Sequence, residues 1–84
     1  MTEVRIEMYS RTGCHLCDEA RDVIDRIQTR YAFDFEVVNI AENPELESRY
    51  GSEIPVIHIN GNKAFKYRVD PVEFEKKLER LWNR

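Results

Sequence analysis

Cys14 and Cys17 are the residues of this chain best suited to chemistry, and they are its only cysteines. His15 and Leu16 lie between them. Upstream, Val4, Ile6 and Met8 alternate with Arg5, Glu7 and Tyr9, which is the period of a strand. Downstream, Leu16, Ala20, Val23, Ile24 and Ile27 recur at helical spacing and form one apolar stripe. The pair is therefore expected where a strand turns into a helix, with Cys14 near the helix N-terminus. Free backbone N–H groups and the positive end of the helix dipole favour an anion there, so thiolate is stabilised over thiol. A C-x-x-C beside a β-α pattern reads as a redox motif.

The totals agree with a small globular domain. The 84 residues are 42% hydrophobic, and four Phe, four Tyr and one Trp supply bulky core material. One domain over residues 1–84 is expected. A net charge of −3 argues against a nucleic-acid partner. No stretch approaches the roughly 20 apolar residues of a membrane span, so no membrane association is expected. Met1-Thr2-Glu3-Val4-Arg5 carries no basic region followed by an apolar run, and no signal peptide is read there. With both cysteines in one motif there is no disulfide framework, and a cytoplasmic monomer is the expectation.

The elements that must position the motif follow in order. Residues 3–9 read as a strand, with Glu7 on its less covered face, and residues 15–30 as a helix. Phe35 to Asn39 form a second strand, which a right-handed crossover makes parallel to the first. Asn43 caps a short helix with Pro44 at its first position and Gly51 at its end. Ile54 to Ile59 read as a third strand with Pro55 at its entrance. Asn60-Gly61 suits a type I′ turn into an antiparallel strand over residues 63–67. Asp70-Pro71-Val72-Glu73 starts the last helix, with Phe74, Leu78, Leu81 and Trp82 on its apolar side. The order is β-α-β-α-β-β-α, an α/β fold with a four-stranded mixed sheet and helices on both faces.

That order, with C-x-x-C after the first strand and Ile54-Pro55 before the third, resembles the thioredoxin fold in its glutaredoxin-like branch. Tyr9-Ser10-Arg11, Cys14-His15-Leu16-Cys17, Glu45-Leu46, Tyr50-Gly51, Ile54-Pro55-Val56 and Asn60-Gly61 resemble the small glutaredoxin-like proteins with a C-H-x-C site. The resemblance implies a thiol–disulfide oxidoreductase that reduces or exchanges protein or glutathione mixed disulfides and is restored by a recycling reductant. Cys14 would attack the substrate disulfide and Cys17 would resolve the mixed disulfide. Pro55 would be cis and would place the Ile54 backbone beside Cys14 to pair with an extended peptide. No tightly bound cofactor is implied, and glutathione enters as a co-substrate.

Around the dithiol, Arg11 matches the basic residue expected three positions before the first cysteine, and Arg68 is a second candidate anion contact. Protonated His15 would further favour the Cys14 thiolate. The chain departs from the family in three places. Tyr67-Arg68-Val69-Asp70 lacks the Gly-Gly of glutathione binders, and Glu53 stands where a hydroxyl is usual. Met8 and Gly13 occupy the positions of the buried Asp and the Trp of thioredoxins. Two other readings use the same residues. One is metal or iron–sulfur binding, for which only Cys14, Cys17, His15 and His58 are on offer as soft or imidazole ligands. The other is an interaction module of this fold without redox turnover. His58, alternating with Ile57 and Ile59, reads as a half-exposed strand residue.

Overall fold

The computed structural model describes residues 4–82, with the side chain of Trp82 outside the described set. The elements are β1 (Arg5–Ser10), α1 (His15–Gln28), β2 (Asp34–Asn39), α2 (Pro44–Tyr50), β3 (Val56–Ile59), β4 (Asn62–Lys66) and α3 (Pro71–Trp82). The sheet order is β2-β1-β3-β4. β1 and β2 are parallel, whereas β1–β3 and β3–β4 are antiparallel. The expected order and mixed sheet are thus present. The expectation for residue 3 lies outside the described residues, and so does that for the packing of Trp82.

Local chemistry accounts for the element boundaries. The Asn43 side chain accepts hydrogen bonds from the Glu45 and Leu46 amides at 3.0 and 3.2 Å. Asp70 does the same for Val72 and Glu73, at 2.9 and 3.3 Å. In both helices a proline follows the cap, where the missing N–H costs nothing. Asn60 and Gly61 both have positive φ, 51° and 83°, as a type I′ turn requires. Gly51 ends α2, as expected. Its φ is −53°, open to any residue, but a Cβ there would lie 2.5 Å from the Glu47 carbonyl oxygen.

Strand alternation divides the core in two. Ile6 and Met8 of β1 and Ile57 and Ile59 of β3 pack against α1 (Cys17, Ala20, Ile24, Ile27) and α3 (Phe74, Leu78). Phe74 is fully buried, edge-to-face with Phe33 and Phe65 at 6.0 Å each. On the opposite face, Ile40 and Val56 pack with Tyr50 of α2, joined by Tyr9 and Leu46. Full burial of side chains this size stabilises by about 1.5–3 kcal/mol each, so the larger α1/α3 cluster dominates. Both clusters meet at Ile54, which packs against each of them.

Candidate active site

The loop after β1 reverses through an Arg11–Cys14 turn, closed by the Cys14 amide donating to the Arg11 carbonyl at 3.2 Å. Gly13 takes φ 83° there, a conformation that side chains with a Cβ disfavour. Cys14 then becomes the N-cap of α1. Its Sγ accepts from the Cys17 amide at 3.2 Å, and Cys14 and Cys17 are joined as a disulfide with Cα atoms 5.2 Å apart. The strand-to-helix placement expected from spacing is therefore present. The two sulfurs are not equivalent. Cys14 is half-buried at the rim, whereas Cys17 is 3% exposed within the α1/α3 core. On reduction, the sulfur facing the helix amides is the one whose thiolate those amides stabilise.

The Ile54–Pro55 bond is cis. Tyr9 pairs with Val56, so the Ile54–Pro55 segment lies beside the C-terminal end of β1, at the same end of the sheet as the cysteines. The Pro55 carbonyl accepts from the Tyr67 amide at 2.9 Å, which ties this segment to the region after β4. Tyr67 adopts φ 68° without being glycine, in the region where the glutathione-binding pattern carries Gly-Gly. Arg68 is exposed and borders a small groove of about 130 Å³ with Leu16, Glu19, Ala20, Val23 and Val69. His15 is the first residue of α1 with its side chain 89% exposed, its Nε2 3.8 Å from Glu19.

Arg11 has partners that its sequence position does not reveal. Its guanidinium donates to Glu47 at 2.7 Å and to the Gly51 carbonyl at 3.1 Å, binding the cysteine loop to α2. Glu53, the acid in place of a hydroxyl, is likewise engaged. Its hydrogen bond with Lys63 at 2.6 Å, with Lys66 at 3.6 Å, holds its carboxyl below the usual range. Glu7 lies on the α2 face of β1, away from Cys17. Arg11 and Glu53 are therefore each held by other residues of this chain.

Two features escaped sequence reasoning. One is an open cleft of about 300 Å³ behind Cys17, walled by β1, β2 and the start of α1. Ser10, expected to follow the strand, instead ends β1 and is 8% exposed, lining this cleft. The other is the setting of His58. Its ring meets Tyr9 and Tyr50 edge-on, at 5.0 and 5.7 Å between centroids, and its Nε2 is buried with no partner. Burial pushes its pKa down, and Lys63 adds to this while Glu7 opposes it. Among the described residues, no three His, Cys, Asp or Glu side chains come together as a metal-holding group. None of the described helices is long and apolar enough to cross a membrane.

Residues 5–79 match the family model described as "Glutaredoxin-like domain". The chain is 32% identical over 68 residues to a protein named thioredoxin from Methanocaldococcus jannaschii, covering 77% of this chain and 80% of that one. It is similar to a solution structure of a Nitrosomonas europaea protein, with TM-score 0.81 and 28% identity over 93% of this chain and 94% of that one. A mutant thioredoxin from Halobacterium salinarum shares the fold, with TM-score 0.70 at 16% identity, covering 95% of this chain and 75% of that chain. A thioredoxin-like fold with a disulfide at the strand-to-helix junction supports redox chemistry at Cys14 and Cys17.

Proposed function

The chain belongs to the glutaredoxin-like domain family, and on that premise we propose that it is a dithiol oxidoreductase acting on protein disulfides in a reducing compartment. The observation that carries this reading is the inequality of the two sulfurs. Cys14 is at the rim and accepts the Cys17 amide, whereas Cys17 is buried one turn behind it. In the reduced state the Cys14 thiolate attacks a substrate disulfide and the first substrate thiolate leaves. Cys17 then attacks Cys14 Sγ, the mixed disulfide breaks, and the second substrate thiolate leaves. Two electrons pass to the substrate, and an external thiol reductant restores the pair.

A protein substrate is favoured over glutathione because Arg11 is engaged by Glu47 and Gly51. Arg68 is left as the exposed cation bordering the groove beside α1. Glutathione then serves as recycling thiol rather than as the recognised ligand. The test is a pair of substitutions assayed on a disulfide-bonded protein. Cys17→Ser should accumulate a covalent mixed disulfide through Cys14, and Cys14→Ser should neither reduce nor trap substrate. Trapping through Cys17 in the Cys14→Ser protein would reverse the roles. No adduct with either variant would remove the redox reading.

A further inference from the structure

The two sides of the disulfide face different surroundings. A substrate on Cys14 covers the rim, and Cys17 is 3% exposed. Yet the resolving step needs Cys17 as thiolate. An unperturbed thiol titrates near 8.5, and burial in apolar surroundings raises that further. The proton must therefore leave while the rim is occupied. Glu7, the acid of β1, is on the wrong face of the sheet, and Met8 stands on the right face with no acidic group.

We propose that the cleft behind Cys17 is the proton exit of the resolving thiol, with Asp18 as acceptor and Ser10 holding the water between them. This rests on the dithiol reading above. The cleft reaches Cys17 from behind and, at about 300 Å³, has room for several waters. Its charged walls are Arg11, Asp18 and Arg21. A guanidinium offers donors and no acceptor, and Arg11 is held by Glu47, so Asp18 is the proton acceptor among the charged lining residues. His15 and Glu19, 3.8 Å apart on α1, are not among the residues lining the cleft. Ser10 is 8% exposed and lines the cleft, where its hydroxyl is the group proposed to hold that water. Register pairs Met8 with Val37 and Ser10 with Asn39, so all four share the face that α1 covers.

In the step, the Cys17 S–H bond breaks and its proton passes through water to the Asp18 carboxylate. The Cys17 thiolate forms a bond to Cys14 Sγ, and the Cys14–substrate S–S bond breaks. The substrate leaves as a thiolate, and Asp18 returns the proton to solvent through the open cleft.

The test mixes reduced protein with the aromatic disulfide dithiobis-nitrobenzoate in a stopped-flow instrument across pH. The first thionitrobenzoate is released as Cys14 attacks, the second as Cys17 resolves. Asp18→Asn should slow the second release by at least about tenfold near neutral pH, with the first within about threefold. Asp18→Glu should restore much of the second rate. Val37→Trp, which fills the cleft from β2, should slow the second release without moving the first. An unchanged second release in Asp18→Asn and Val37→Trp overturns the proposal, as does equal slowing of both releases. If wild-type protein shows no first release, the dithiol reading itself fails and the proposal falls with it.

Discussion

Arg11 distinguishes a substrate contact from a structural clamp, and Arg11→Met makes the distinction measurable. The guanidinium reaches Glu47 at 2.7 Å and the Gly51 carbonyl at 3.1 Å. The pair is far from dry, with side chains 41% and 35% exposed, so solvent screening discounts it. An exposed pair contributes about 0.2–1 kcal/mol. The hydrogen bond to Gly51 adds about 0.5–1 kcal/mol net. The substitution should thus destabilise by about 1–2 kcal/mol, lowering Tm by roughly 5–15 °C in a domain of this size. In a double-mutant cycle with Glu47→Gln, the coupling should be about 0.5–1 kcal/mol and should fade near ~1 M salt. Thermal melts of the reduced protein give the first number, and the same samples give KM for a glutathione mixed disulfide. That KM should stay within about twofold of wild type. A Tm shift under about 1 °C with a roughly tenfold rise in KM would refute the clamp and make Arg11 a glutathione contact.

Acid stability follows from His58. Burial lowers its pKa in the fold, so folding prefers the neutral ring. Stability from this source is full above the unfolded value of about 6.5 and is lost as pH falls through it toward the lower folded value. Urea midpoints of wild type should therefore decline across that window, and those of His58→Phe should decline less; parallel curves would place the pH dependence elsewhere. Phe74 is fully buried between Phe33 and Phe65, and Phe74→Ala should cost about 3–5 kcal/mol by denaturant titration. A loss under about 1 kcal/mol would mean that the α1/α3 core is not the dominant one.

Features written in neighbouring residues were legible. The caps at Asn43-Pro44 and Asp70-Pro71, the Asn60-Gly61 turn and the strand-helix placement of Cys14 each follow from a few adjacent side chains. Features made by distant residues were not. Arg11 and Glu47 are 36 positions apart, and nothing local to either predicts their pairing. His58 reads as one more alternating strand residue until Tyr9 and Tyr50 close on it from β1 and α2. Ser10 falls just outside the strand read over residues 3–9, because a polar side chain at a strand end gives no apolar signal. Its burial depends on α1 folding back over the β1–β2 pair. Gly51 is legible as the end of α2, but the close approach of the Glu47 carbonyl to its Cα is not, because periodicity does not contain it.

The central claim is that Cys14 and Cys17 form a reversible dithiol–disulfide couple. Mass spectrometry of the metal-free protein, equilibrated across a series of glutathione redox buffers and then alkylated, tests it most directly. The expected result is one transition between a doubly alkylated species and an unalkylated disulfide species, the latter two hydrogens lighter than the reduced protein before alkylation. Its midpoint should lie between the potentials of thioredoxins and glutaredoxins, about −270 to −200 mV. Thiols that remain fully alkylated in every buffer would contradict the claim.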